Sequence, residues 1–309
     1  MLRREPTAER SAILGLMRIG THNINGIRAT VARGFREFWA GADAQVVALQ
    51  EVRCRPADLP LHAFDGWHAT LELGQIAGRN GVAVLTKVPP AAVHTLHGGL
   101  AHQVADGELS EIPTQLTGGR FLRPFGGEGR YLEVDLADAP VRLVSLYLPK
   151  GAAWPYDGLD QEKYERKMRF LRGLKRQITL RRRDAAAEGR EFLIVGDFNV
   201  ANTQRDLKNW RGNQKSEGFL PEEREWFDSI LSPRSLVDVV RKHAGDVDGP
   251  YSWWSWRGQA FDNDAGWRID YQLASPGLAQ RVTDVTVARE ASYDTRLSDH
   301  CPVIVDYDV

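Results

Sequence analysis

The chain has 309 residues, enough for one large domain with a full core, and its 42% hydrophobic and 26% charged content is that of an ordinary globular protein. With 40 Lys and Arg against 41 Asp and Glu the formal net charge is −1, which excludes a bulk polycation and requires any nucleic-acid surface to be local. Two cysteines, Cys54 and Cys301, exclude a disulfide scaffold and fit a reducing cytoplasm, and no apolar run approaches the ~18 residues of a membrane span.

From the N-terminus, residues 1–16 carry Arg3, Arg4 and Glu5 and an apolar patch, Ala12–Met17, too short and interrupted for a signal peptide. They are expected to lie outside the fold, leaving residues 17–309 as a single domain. Met17–Ile24 predicts a strand running into the turn N-I-N-G. Thr30–Ala40 sets Val31, Phe35, Phe38 and Trp39 at helical spacing and predicts one amphipathic helix. Gln45–Gln50 and Gly81–Thr86 predict buried strands, the first ending on Glu51. Residues 87–129 carry Gly and Pro throughout and predict a long irregular loop.

Arg130–Leu136 and Val141–Leu148, with a turn between them at Ala137–Pro140, predict a β-hairpin. A long helix is expected over Asp160–Glu188, with basic residues that read either as a DNA footprint or, more commonly, as a solvated face. In Glu191–Asn202, the run Phe192–Val195 is a strand buried on both faces, closed by Gly196 and followed at once by Asp197 and Asn199. Pro221–Leu231 predicts a shorter helix, with Glu222 and Glu223 in its first turn to complement the dipole. Trp267–Ala274, Arg281–Ala288 and Cys301–Tyr307 predict three more strands. Hairpins mixed with βαβ-like pieces favour a sheet packed on a sheet with helices outside over a doubly wound parallel sheet.

Polar side chains recur at these strand ends: Asn23 and Asn25, Glu51, Tyr147, Asp197 and Asn199, Asp270, and Asp299 with His300. Each has a plainer reading as an Asx turn, a cap or a solvated terminus. Together they form a parts list. The oxygen ligands Glu51, Asp299, Asn25 and Asp197 suit a hard divalent ion, Mg²⁺ or Mn²⁺, rather than zinc. Asp270 beside His300 would fix the imidazole tautomer and favour its charged form. Hydrolysis of a phosphodiester needs such a set: a cation, donors on the phosphoryl oxygens, and a base for water. No GxSxG elbow, phosphate loop, HExxH or GxGxxG offers a competing scheme.

The motifs NINGIRA (Asn23–Ala29), LQE (Leu49–Glu51), LYLPKG (Leu146–Gly151), GDFN (Gly196–Asn199), GFLPEEREW (Gly218–Trp226), WRIDYQLAS (Trp267–Ser275) and SDHCPV (Ser298–Val303) follow one another in a familiar order. Over residues 17–309, apart from 98–129, the chain resembles the exonuclease III-type class II AP endonucleases of the endonuclease/exonuclease/phosphatase superfamily. GDxN and SDH are shared across that superfamily, whereas FLPEEREW and WRIDYQLAS are much more specific to its DNA-repair branch.

The resemblance implies a four-layer α/β sandwich, two packed mixed β-sheets flanked by helices, with a site at one rim. It implies an enzyme, expected as a monomer in the cytoplasm, that uses one or two Mg²⁺ ions to cut double-stranded DNA 5′ to abasic sites or to trim 3′ ends. Glu51 would be the main metal ligand, with Asn25 and Asp299 helping and Asn23 nearby. Asp197 would orient or deprotonate water, and Asn199 would help hold the phosphate; in two-metal descriptions both touch the ion. Tyr147 and His300 would bind phosphoryl oxygens, with Asp270 orienting His300. Trp253, Trp267 and Ile269 would line a pocket for a flipped-out baseless sugar. Arg53 and Lys150 are either phosphate contacts or plain surface charge. Trp254 and Trp256 read as core. His22 replaces the family's usual aromatic residue and is expected to pack beneath the site; Asn25 stands where some members have Asp. A phosphoesterase acting on lipid, inositol phosphate or undamaged nucleic acid is the alternative, disfavoured by FLPEEREW and the Trp pocket.

Overall fold

The structure, a computed structural model, describes residues 15–76 and 78–309, so residues 1–14 of the extension expected at 1–16 lie outside the described residues. In chain order, β1 (Leu16–Asn23) and β2 (Val46–Gln50) run parallel, and β3 (His68–Glu72) and β4 (Val82–Thr86) extend that sheet antiparallel. Next come β5 (Ala92–Thr95), β6 (Gly99–Ala105) and β7 (Glu108–Leu116). The second sheet holds β5, β8 (Tyr131–Asp135), β9 (Val141–Tyr147), β10 (Glu191–Asp197), β11 (Val237–Asp238) and β12 (Asp270–Ala274). Finally β13 (Val282–Val287) and β14 (Val303–Asp308) return to the first sheet beside β1.

β7 pairs antiparallel with β6 and parallel with β5, so among the described residues the ladder is continuous from one sheet into the other. Ile19, Val46, Ala48 and Val84 of the first sheet share one apolar core with Val134, Leu143, Leu193 and Val195 of the second. This is face-to-face packing, and it explains why these short strands are apolar on both sides.

Helices cover the outer faces. On the second sheet, α3 (Gly158–Ala187) and α4 (Pro221–Ile230) bring Phe170, Leu174, Ile178 and Phe227 against Val144, Leu146, Phe192 and Ile194. On the first, α1 (Ile27–Val31) and α2 (Phe35–Ala42) bring Ile27, Phe35 and Trp39 against Val47, Leu49 and Leu85. Gly20 in β1 is required there, because a Cβ would stand 2.4 Å from the Trp39 ring. Two short helices, α5 (Val239–Ala244) and α6 (Pro276–Ala279), close the end of the second sheet. The four-layer α/β sandwich is present.

Three expectations change. Residues 87–129 are not an irregular loop: they contain β5, β6 and β7. The β6–β7 hairpin buries little beyond Ala101 and Val104, so its sequence lacks the period-2 apolar signal of a half-buried strand. The single helix expected over Thr30–Ala40 is two, separated at Gly34, whose φ of +99° breaks the helical path. The domain boundary also moves, because β1 begins at Leu16 and Gly15 exchanges two backbone hydrogen bonds with Val309.

Candidate active site

Register delivers the site. In the second sheet Asp197, closing β10, lies opposite Tyr147 of β9 and Asp270 of β12. In the first, Asn23 closes β1 opposite Gln50 of β2, and Glu51 follows immediately. Just beneath this rim the two sheets are pinned by polar contacts. Gln50 Nε2 donates to Ser145 Oγ at 3.0 Å, Ser145 Oγ donates to the Leu49 carbonyl at 3.0 Å, and Gln272 Nε2 donates to the Ile19 and Val303 carbonyls at 2.9 and 3.1 Å. Directional bonds in an otherwise apolar interface fix how one sheet sits on the other.

At the rim, Asn23 Nδ2 donates to Glu51 Oε1 and to Asp197 Oδ2, both at 2.9 Å, and so locks an acid from each sheet. His300 Nδ1 donates to Asp270 Oδ2 at 2.8 Å, and the Ser252 hydroxyl donates to that oxygen at 2.6 Å. The other imidazole nitrogen, His300 Nε2, stands 3.8 Å from Asp197 Oδ2. Glu51, Asp197 and His300 each present a ligand atom, all within 4.8 Å of one another. Asp299 accepts from Asn25 Nδ2 at 2.8 Å and from the Trp253 indole at 3.1 Å. Asn199 cradles Asp197, donating from its backbone N to Oδ1 at 2.8 Å and from Nδ2 to Oδ2 at 3.2 Å.

The backbone here is strained. Asn25, Glu51, Arg53 and Asn199 have φ of 45°, 55°, 49° and 47°. Asn tolerates the left-handed region, but Glu and Arg seldom adopt it, at a cost of about 1–3 kcal/mol each. Glu51 and Arg53 are held by neighbours: Gly26 N donates to the Glu51 carbonyl at 2.8 Å and Arg53 N to the Asn80 carbonyl at 2.8 Å. Gly196 admits the close approach that seats Asp197, since a Cβ there would meet the Leu146 carbonyl oxygen at 2.0 Å.

These groups open onto a cleft of about 350 Å³. Asn25, Glu51, Arg53 and Tyr147 line it with Asp197, Asn199, Asp299 and His300; Trp253, Trp267 and Ile269 form an apolar wall, and Lys150 stands at the mouth. The two indoles meet edge-on, 6.2 Å apart at 85°. Asn23 and Asp270 are fully buried behind the lining. Arg53 contacts the Glu51 carboxylate and donates to Asn25 Oδ1 at 2.6 Å; Lys150 Nζ is 3.4 Å from Glu217. Trp254 is core, while Trp256 is half-buried under the Arg296 guanidinium.

Sequence reasoning missed one wall, Asn213, Ser216 and Glu217 leading into Gly218. The signal for it was the glycine opening GFLPEEREW: Gly218 has φ of +86° and passes so close to Asn199 that a Cβ would meet its carbonyl oxygen at 2.9 Å. Arg130 was missed too. It donates to the Tyr147 carbonyl at 3.2 Å and lies 5.0 Å over the Tyr147 ring.

Burial, reinforced by Asp270 and Glu51, holds the Asp197 carboxyl above its usual range although His300 opposes this. Burial works against charge on His300, yet Asp270, Asp197 and Asp299 outweigh it and keep the ring protonated. Burial, then Glu51 and Asp197, push the Tyr147 phenol well above its usual value, so it is a neutral donor. The rim therefore offers an elevated carboxylate beside two fixed donors.

His22 packs beneath the site, with Nε2 3.2 Å from the His300 carbonyl and its ring 6.3 Å from that of Trp39. Burial pushes its pKa down to about 3. A folded value below the unfolded ~6.5 gives a contribution complete above pH 6.5 and lost as pH falls toward 3, at up to about 1.4 kcal/mol per pH unit. His22→Phe is expected to flatten that loss, measured as urea midpoints of both proteins at pH 7, 5.5 and 4.5. Parallel pH curves would remove His22 as the source.

Residues 20–300 match the sequence pattern described as the Endonuclease/Exonuclease/phosphatase family. The chain is 28% identical over 288 residues to an exodeoxyribonuclease of Bacillus subtilis (strain 168), across 93% of this chain and 98% of that protein. It is 27% identical over 294 residues to a DNA-(apurinic or apyrimidinic site) endonuclease of Dictyostelium discoideum, across 95% of this chain and 71% of that one. A solved structure of a 3′ phosphatase from Neisseria, bound to a product DNA hairpin, superposes with a TM-score of 0.75 at 25% identity, covering 95% of this chain and 100% of the other.

Proposed function

Because the chain belongs to the endonuclease/exonuclease/phosphatase family, we propose that it is a Mg²⁺-dependent DNA-repair phosphodiesterase that cuts the strand 5′ to an abasic site and also trims blocked 3′ ends. The observation that carries this reading is the meeting of Glu51, Asp197 and His300 with the apolar wall of Trp253, Trp267 and Ile269 in one cleft. The names of the relatives, an exodeoxyribonuclease, an apurinic-site endonuclease and a 3′ phosphatase, support DNA as the substrate. The enzyme is expected to act as a monomer in the cytoplasm, its buried Cys54 and Cys301 unpaired. Among the described residues no helix is long and apolar enough to cross a membrane.

The donor chemistry suits a hard cation. Glu51, Asp197, Asn25 and Asp299 offer oxygen, and Arg53 already brings a positive charge to Glu51 and Asn25. Glu51 would be the principal holder, with Asn25 and Asp299 beside it and Mn²⁺ an acceptable substitute. Arg53 is half-exposed and free to swing onto a DNA phosphate. When bound, the cation would neutralise charge on the phosphate and on the departing oxygen.

The protein's own groups do the rest. Asp197, with its elevated proton affinity and its orientation set by Asn23 and Asn199, accepts the proton of the attacking water. Protonated His300, steadied by Asp270, and the Tyr147 hydroxyl donate to the non-bridging phosphoryl oxygens as charge builds there. Trp253, Trp267 and Ile269 bound a space that admits a bare deoxyribose and rejects a nucleotide with its base.

The test is a duplex carrying one tetrahydrofuran abasic analogue, incubated with and without Mg²⁺. One nick 5′ to the analogue, abolished by EDTA, is expected; cutting of an undamaged duplex at the same rate would point to a non-specific nuclease instead. Trp267→Ala is expected to lower the preference for the abasic duplex by about 10- to 100-fold while 3′-end trimming changes less than about threefold. The reverse pattern would remove the indole from substrate selection.

A further inference from the structure

Behind the wall formed by Gly218 lies an ion pair that no step of the reaction uses. Lys167 on α3 and Glu223 in the first turn of α4 are both 0% exposed. Lys167 Nζ lies 2.6 Å from Glu223 Oε1 and donates to the carbonyl oxygens of Lys150 at 3.0 Å and Asn199 at 2.9 Å. Glu223 Oε2 accepts from the backbone amides of Gly218 at 2.7 Å and Leu220 at 3.1 Å. These backbone groups belong to three separate loops. Lys150 follows Tyr147, Asn199 follows Asp197, and Gly218 is itself part of the cleft lining.

The ammonium is enclosed by three oxygens, two carbonyls that it hydrogen-bonds and the Glu223 carboxylate in ionic contact, which leaves no room for a ligand. Stability alone is a poor reason for it. Burying two opposite charges seldom outperforms two apolar side chains, and α3 and α4 already share an apolar core through Phe170, Leu171 and Phe227. An apolar pair could fill the space but could not hold two carbonyls, a carboxylate and two amides in fixed directions about one point. The loops also lack slack: a Cβ at Gly151 would meet the Lys167 side chain at 2.8 Å.

We propose that the Lys167–Glu223 pair is a positioning device: it ties the Tyr147, Asp197 and Gly218 loops to one another, and the turnover of the enzyme depends on that registration. The kinetic part rests on the strand-cutting function proposed above. Neither residue touches substrate, and both act through Asn199 and the Gly218 wall.

The test uses the full chain carrying Lys167→Met with Glu223→Gln, which removes both charges and leaves no unpaired ion. Hydrogen exchange by mass spectrometry is followed in peptides spanning 148–151, 198–202 and 216–220, alongside steady-state kinetics on the abasic duplex. Exchange in all three segments is expected to rise together by about tenfold or more, with the strands of the sandwich unchanged. The kcat is expected to fall about 100-fold with KM within about threefold, the signature of misplaced groups rather than lost binding. Wild-type kcat in the folded double variant, or faster exchange throughout the protein, would overturn the proposal. Should the double variant not fold, Lys167→Met alone is read by the same two measurements: Glu223 keeps its oxygen for the two amides, and its burial lets the carboxyl take up a proton rather than stay an unpaired ion. If the wild-type protein leaves the abasic duplex uncut, the strand-cutting function fails, and the exchange pattern still decides whether the pair registers the three loops.

Discussion

Asp197→Asn is expected to slow single-turnover nicking of an abasic duplex by about 10⁴-fold while the dissociation constant for the same DNA stays within about threefold. The substitution keeps the volume of the side chain and removes its ability to take a proton. Both oxygens of Asp197 only accept: Oδ2 from Asn23 Nδ2 and Asn199 Nδ2, Oδ1 from the Asn199 backbone. Whichever way an amide is turned, its NH₂ faces a donor, so a stability loss of about 1–3 kcal/mol accompanies the kinetic loss. The loss of a negative charge 3.8 Å from His300 Nε2 also weakens one of the interactions that keep that ring protonated. Rapid-quench kinetics and fluorescence anisotropy separate the two quantities. A rate loss below tenfold would take Asp197 out of the proton transfer.

Glu51→Gln is expected to weaken Mn²⁺ or Mg²⁺ binding by about 100-fold and, at subsaturating metal, to abolish cleavage, as EDTA is expected to do in the wild type. Glu51 is the carboxylate with least alternative employment: it accepts from Asn23 on one oxygen, and the other meets only the half-exposed Arg53 guanidinium. The pH dependence has a definite sign. Burial raises the proton affinity of Asp197, so a cation drawing on that carboxylate competes with a proton as the solution is acidified. Cation affinity should therefore climb as pH is raised from 5.5 to 8, with proton release on binding, and the slope should flatten in Asp197→Asn. Calorimetric titration of Mn²⁺ in buffers of different ionisation enthalpy reads both. Persistent cleavage in EDTA, or undiminished Mn²⁺ binding by Glu51→Gln, would refute the assignment.

The residues proposed to carry the chemistry are readable because they sit where strands stop. A strand buried on both faces announces itself as a short apolar run, as in Val46–Gln50 and Phe192–Val195, and the first polar group after such a run is already placed at a rim. The convergence of Glu51 and Asp197 was not in the local sequence, since it depends on register across two sheets, and there the family resemblance carried the expectation. What stayed hidden had weak local signals. The wall at Asn213–Glu217 is a polar turn without periodicity. Arg130 opens the alternating run Arg130–Leu136 with nothing local to single it out, yet it lies against Tyr147. The left-handed backbone at Glu51 and Arg53 has no glycine to mark it; only the neighbours that hold it there explain it.

The first sheet is assembled from both ends of the described chain, with β14 lying against β1 and β13 outside it, while the middle of the chain makes the second sheet. During synthesis β1 emerges early and waits, its margin uncapped, until β14 arrives some 280 residues later. The same arrival carries His300 to the rim. A product that stops before this point holds Glu51 and Asp197 but lacks the His300 imidazole that completes the cluster at the rim.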